Sequence, residues 1–189
     1  MKPEDILKKK SVKPEELQSF FESVVFETAG DIRSEERVVT LGYLGRNLLG
    51  RELLGEKLWN ILVNQEKRRC GWHIISDYWK RAEESRNPYE KFSILKKAGD
   101  ISLLMSGLFS VEDLGGLRML DDEYYSWTGK TSYSLSLSVS PQKNKFLIYS
   151  LYKNFDWLVA VLKGVRDKLG LSEKTSEAFY IRTKSAYRM

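Results

Sequence analysis

The residues best suited to chemistry lie between positions 99 and 133, where small, polar and aromatic residues interrupt apolar surroundings. Asp100 stands inside an apolar helical run, and three tyrosines follow it along the chain. A carboxylate among apolar residues must be paired or hydrogen-bonded, and a tyrosine supplies a flat apolar ring with one polar edge. We therefore expect one group of residues to meet around a pocket or groove: Asp100, Ser106, Tyr124, Tyr125 and Tyr133.

Asp100 has two interpretations. As a functional group it would be an anchor for a ligand donor, or a general base with Tyr124 or Tyr133 as the acid. As a structural group it would cap another helix or accept hydrogen bonds from tyrosines. The structural interpretation is favoured because the sequence offers no identifiable partner acid or base. If the protein's own side chains fill the pocket, the cluster is a buried polar network that fixes the fold.

His73 is the single histidine and Cys70 the single cysteine of the chain. Spacings of three and four residues would put Cys70, His73 and Asp77 on one face of a helix. There they could bind zinc, or the imidazole could activate the thiol. No further His or Cys exists to complete a zinc site, so a core or surface histidine is the favoured interpretation.

Asp121, Asp122 and Glu123 form an acidic stretch that could hold Mg²⁺ or Ca²⁺. Their spacing matches no calcium loop, and acidic residues in a first helical turn ordinarily complement the helix dipole. The chain also lacks a glycine-rich phosphate loop with its lysine. We therefore expect neither a metal nor a cofactor.

The net charge of +5 and the basic isoelectric point raise the question of nucleic acid. Short basic runs at residues 8–10 and 67–69 lie along the chain near Trp59, Trp72 and Trp79. The tryptophans fall on the apolar stripe of their helices, and no nucleic-acid-binding signature is found. Nucleic acid is therefore not the favoured partner. A regulator that contacts it through the basic termini, residues 1–13 and 172–189, stays open as an alternative.

Apolar residues recur at steps of three and four through most of the chain, which is the spacing of amphipathic helices. Pro14 opens the first helix and Gly30 ends it, while Asn87 and Pro88 give the clearest start signal. Gly170 is expected to end the last clear helix. The predicted helices span residues 14–30, 35–50, 53–69, 72–85, 88–107 and 144–169, with a short amphipathic tail to about 185.

About six helices with little strand indicate an all-α fold, a single-domain helical bundle. Its length suits one domain with a core of its own. We expect residues 1–12 to be a frayed basic N-terminus and residues 13–189 to be one helical domain. Gly42 and Gly45 would be unfavourable inside the second helix unless another helix approaches closely there.

Residues 132–139, SYSLSLSV, alternate as a strand would. A lone strand would have no partner in this fold. A helix or an irregular turn is therefore favoured.

The expected compartment is the cytoplasm. One cysteine excludes an internal disulfide and suits a reducing environment, and the first residues lack the apolar segment of a signal peptide. The longest apolar runs are too short to cross a bilayer, so no membrane association is expected. Many Lys and Glu with three Gln are a composition typical of a hot source organism.

Several short motifs occur in one order: Gly99-Asp100, Ser106-Gly107 with Phe109, Tyr124-Tyr125, and Gly129 followed by Tyr133. In this order they resemble a family of uncharacterised bacterial proteins whose motifs read LGDxxLxxSGxF, DxDYY and GGxxY. The resemblance covers residues 92–165, with Glu123 in place of the second acid and Lys130 in place of the second glycine. It implies a helix over residues 124–139 and names no activity.

The leading hypothesis is a non-enzymatic helical domain that binds a protein partner or a small molecule and assembles as a homo-oligomer. The alternatives are an enzyme that uses Asp100 as base and a tyrosine as acid, and the nucleic-acid-associated regulator.

Overall fold

The computed structural model describes residues 13–53, 71–109 and 122–170, the side chains of 52–53 and 71–74 excepted. This part of the chain contains seven α-helices, one π-helix and no strand, which confirms the predicted all-α bundle. The elements are α1 (Pro14–Ala29), α2 (Glu35–Gly42), the π-helix (Tyr43–Leu53), α3 (Gly71–Glu84), α4 (Pro88–Gly107), α5 (Asp122–Ser138), α6 (Gln142–Lys153) and α7 (Phe155–Leu169). The predictions for residues 1–12, 54–69 and 172–185 lie outside the described residues.

Helix ends follow the local signals. Gly30 and Gly170 have φ of 70° and 58°, a backbone region that glycine enters without a steric penalty. At the start of α4 the Oδ1 of Asn87 accepts hydrogen bonds from the backbone N–H groups of Tyr89 and Glu90. The Glu90 side chain accepts from the hydroxyl of Ser85 at 2.7 Å, so it helps to hold the turn before α4.

The π-helix continues directly from α2 and packs along α1. A Cβ added at Gly45 would lie 2.6 Å from the Cα of Glu22, and one at Gly50 would lie 2.8 Å from the Cα of Gln18. The predicted close approach is therefore confirmed at Gly45 and extends to Gly50. It is wrong at Gly42, where an added Cβ would meet nothing within 4 Å.

Helices α4 and α5 form the most extensive helix pair of the described residues. They run antiparallel, because Asp100 meets Tyr133 while Ser102 meets Thr128. The residues that alternate in SYSLSLSV are helical, with Ser132 and Ser136 buried one turn apart and Leu135 exposed. Small side chains occupy the buried side of this helix, which explains why its hydrophobic pattern does not show a clear helical period.

The predicted helix over residues 144–169 is wrong in one respect, since it is two helices, α6 and α7. Asn154 stands between them with φ −100° and ψ 15°. Its side-chain amide donates to the backbone carbonyl of Ser150 at 2.9 Å. An asparagine that bonds a nearby backbone carbonyl in this way competes with regular helical bonding, which accounts for the break.

The core of the described bundle is built from apolar residues of α1, the π-helix, α4, α5, α6 and α7. Residues 98–107 of α4 are all buried, so this helix runs through the centre of the bundle. Within residues 13–53, 71–109 and 122–170, no helix combines the length and apolar character needed to cross a membrane.

Candidate functional site

Asp100 lies in the middle of α4 and is fully buried. Its Oδ1 accepts a hydrogen bond from the hydroxyl of Tyr133 at 2.8 Å. Its Oδ2 accepts from the hydroxyl of Tyr43 at 2.9 Å and from the Nζ of Lys96 at 2.8 Å. Both oxygens are therefore held by donors from the protein itself, one of them an ammonium group.

Lys96 precedes Asp100 by one helical turn and forms an ion pair with it. Its Nζ also contacts the hydroxyl of Tyr43 and lies 4.5 Å from the centroid of the Tyr43 ring. The Lys96 side chain is 19% exposed, whereas that of Asp100 is 1% exposed. The lysine thus joins the buried carboxylate to the edge of the core and offsets the cost of burying it.

The chain positions these groups from three separate elements. Tyr43 comes from the junction of α2 and the π-helix, and Tyr133 comes from α5. Gly99 makes room for Tyr133, since an added Cβ there would lie 2.6 Å from the tyrosine ring. Because glycine has no side chain, the Tyr133 ring lies against α4 at this position, and its hydroxyl reaches the carboxylate of Asp100.

The five predicted residues are spread along the pair of helices α4 and α5 and do not surround one point. Among them Tyr133 contacts the carboxylate of Asp100. Ser106 lies six residues further along α4, about 9 Å at the helical rise per residue. It is buried, and its hydroxyl has no hydrogen-bond partner among the described residues.

Tyr124 and Tyr125 lie at the beginning of α5, more than two helical turns from Tyr133. Their rings contact each other edge to face with centroids 5.5 Å apart. Tyr125 is buried, while Tyr124 is partly exposed. Burial raises the pKa of the Tyr124 hydroxyl above its ordinary value of 10.0, because the phenolate is less well solvated there.

A second polar cluster begins two residues from Asp100, at Ser102. The hydroxyls of Ser102 and Thr128 are 3.2 Å apart across the two helices, and Ser102 also donates to the backbone carbonyl of Ala98. The indole N–H of Trp79 donates to the hydroxyl of Ser132 at 2.7 Å. These bonds tie α3 and α4 to α5.

Two residues of the Asp100 network were missed in the sequence. Lys96 carried a signal, because oppositely charged residues four apart on a helix face each other. Tyr43 carried none, since its partner is 57 residues away and only the packing of the bundle brings them together.

The other candidate groups divide between described and undescribed residues. Asp122 accepts from the Nζ of Lys163 at 2.7 Å, so this carboxylate joins α5 to α7. Glu123 and Asp77 are exposed. Cys70, Asp121, the side chain of His73 and the basic runs at 8–10 and 67–69 lie outside what the structure describes.

Comparison of the chain with protein-family models, with curated proteins and with solved structures found no match.

Proposed function

We propose that this chain is a non-enzymatic binding domain in which the network around Asp100 holds the helices together. The observation that carries the proposal is the occupation of both Asp100 oxygens by Tyr43, Tyr133 and Lys96. The binding function itself is assigned to the surface of the bundle, where large apolar side chains are exposed.

Catalysis by Asp100 would need a different environment. A general base must present a lone pair within hydrogen-bond distance of the proton that it abstracts. Asp100 is fully buried, and its acceptor positions face donors of its own chain. The same contacts argue against Asp100 as an anchor for a ligand, because a ligand donor would have to displace one of them.

Exposed aromatic residues support a binding role. Trp127 is 57% exposed and Tyr89 is 71% exposed, and three more aromatic residues are exposed on α6. Because these side chains are exposed to solvent, they offer contact area to a partner. We also propose that the domain acts in the cytoplasm, on the basis of its single cysteine, and that it assembles as a homo-oligomer through such exposed residues.

The proposal is tested by replacing Asp100 with Asn. The substitution should lower the free energy of unfolding by about 3 kcal/mol, because it leaves Lys96 near the core without its carboxylate. Tyr133→Phe should cost about 2 kcal/mol, since it removes one hydrogen bond to a charged group. Both values come from urea unfolding followed by circular dichroism.

Glu83→Gln on α3 is the matched control, because it makes the same change of acid to amide at an exposed position. It should change the unfolding free energy by less than about 0.5 kcal/mol. An Asp100→Asn protein as stable as the wild type would contradict the structural role and would return Asp100 to the enzyme hypothesis.

A further inference from the structure

The outer side of α6 combines exposed aromatic rings with lysines. Phe146, Tyr149 and Tyr152 are 46%, 42% and 41% exposed. These rings and the neighbouring exposed lysines form a surface that we call the aromatic–lysine face. Its members are Lys143, Lys145, Phe146, Tyr149, Tyr152 and Lys153. The opposite side of the helix is held in the core by Ile148 and Leu151.

The helical period arranges this face in rows. Lys145, Tyr149 and Lys153 are four residues apart and form a central row, with Phe146 on one side and Tyr152 on the other. The helix is about 18 Å long, from twelve residues at the helical rise. Phe146 therefore has Lys143 as a neighbour one turn away, and Tyr149 has Lys145 and Lys153, whereas Tyr152 has Tyr149.

The face carries positive charge that the described residues do not fully neutralise. Helix α6 contains three lysines and no acidic residue. Lys153 pairs with Glu36 of α2 at 3.1 Å and lies 5.6 Å from the centroid of the Tyr149 ring. Lys143 and Lys145 have no ion pair with any described residue. The nearest acid after the helix, Asp156, is already paired with Lys130 at 2.6 Å.

We propose that the aromatic–lysine face binds single-stranded nucleic acid, with bases stacked on the aromatic rings and phosphates held by the lysines. Binding sites for single strands combine these two elements, because every base has a face that can stack and every phosphate is an anion. The proposal deepens the binding function proposed above and rests on it, since it names the partner.

Two other partners fit the face less well. A helix that lies in a membrane surface buries a continuous apolar side, whereas a row with two lysines runs through the middle of this one. The centre of a protein–protein interface is depleted in lysine, yet Lys145 and Lys153 flank the central Tyr149.

The test is fluorescence anisotropy of the full chain with labelled oligo(dT) and oligo(U) over a range of salt concentrations. Two lysine–phosphate contacts, from Lys143 and Lys145, should give a slope of about −1.4 for the logarithm of the association constant against that of salt. Tyr149→Ala and Phe146→Ala should each weaken binding by at least about fivefold, through the loss of one stacked base. The double variant Lys143→Gln with Lys145→Gln should weaken binding and reduce the slope.

Matched controls come from other faces. Tyr89→Ala removes an exposed tyrosine at the start of α4, and Lys80→Gln removes an exposed lysine of α3. Both should bind the strands as the wild type does. Because all these side chains are exposed, circular dichroism should show each variant folded.

The proposal is overturned if neither strand binds, or if the α6 variants and the control variants bind equally well. It is also overturned if phosphatidylserine vesicles bind and the strands do not, or if Tyr149→Ala dissociates an oligomer that binds no strand. In that last case the proposed binding function would still hold, but the partner would be a second copy of the protein. A failure of the proposed structural role of Asp100, and with it of the non-enzymatic assignment, would instead appear as an unchanged stability of Asp100→Asn.

Discussion

Asp100 can lie in the core because each of its oxygens has a donor of its own. Removing a buried partner costs far more than the pair contributes, so such networks specify one arrangement of the helices. Tyr43 and Tyr133 reach the carboxylate from elements far apart in the sequence. At the residue scale, then, the carboxylate of Asp100 resembles a catalytic acid or base in its chemistry, but its hydrogen bonds connect α4 to the π-helix and to α5.

Tyr124 gives a prediction for pH at this same scale. Its pKa is raised by burial, so the unfolded chain ionises at lower pH than the folded one. The stability that depends on neutral Tyr124 is complete below about pH 10 and is lost as the pH rises through the folded pKa. Urea unfolding between about pH 9 and pH 11 should therefore show a shallower loss of stability in Tyr124→Phe than in the wild type.

Tyr89→Phe is the control, since Tyr89 is largely exposed. Equal slopes for the two variants would mean that the environment of Tyr124 does not disfavour its phenolate.

At the scale of elements, glycine sets how closely the helices approach. Gly45 and Gly50 bring the π-helix against the backbone of α1. Gly99 of α4 and Gly129 of α5 instead make room for aromatic side chains, since an added Cβ would meet the ring of Tyr133 of α5 at Gly99 and the ring of Phe155 of α7 at Gly129. A glycine inside a helix costs about 1 kcal/mol relative to alanine, and close packing is what offsets this cost.

Two glycines of neighbouring turns give opposite predictions. Gly45→Ala should destabilise the protein by about 1–3 kcal/mol, because its Cβ would meet the backbone of α1, which cannot move aside as a side chain can. Gly42→Ala should stabilise it by up to about 1 kcal/mol, since the space is open and alanine favours a helix. Thermal unfolding of the two variants would measure both effects. A loss of stability in Gly42→Ala as large as in Gly45→Ala would contradict the open space at Gly42.

At the scale of the whole molecule, α4 is the central helix of the described bundle. Residues 98–107 are all buried and contact both α5 and α7. Helix α2, by contrast, has three exposed residues in its first turn and two buried residues, Thr40 and Leu41, in its second. Because local opening is easiest where few apolar contacts are lost, the two helices should differ in the free energy of opening.

Hydrogen exchange should show this difference. The amides of residues 98–107 should exchange with the free energy of global unfolding measured in denaturant, while those of α2 should exchange with a smaller one. Amides of α4 that exchange as fast as those of α2 would show that α4 is not the centre of the cooperative unit.

Much of the fold could be predicted from local sequence. Asn87 and Pro88 start α4, Gly30 ends α1 and Gly170 ends α7, because caps depend on the few residues around them. The apolar stripes predicted most of the helices because the spacing of apolar residues is also a local property of the sequence. The strand-like alternation of residues 132–139 was ambiguous, since the buried serines Ser132 and Ser136 hide the helical period.

The sequence by itself determined the helical class, most helix ends and the need of Asp100 for partners, because propensity, capping and the cost of a buried charge are local properties. Only the tertiary structure decided that Tyr43 joins Lys96 and Tyr133 at that carboxylate, that Gly45 is crowded and Gly42 is not, and that α6 presents an aromatic–lysine face. Each of these depends on which helix lies beside which, and contacts 57 or 33 residues apart follow from the packing of the whole core.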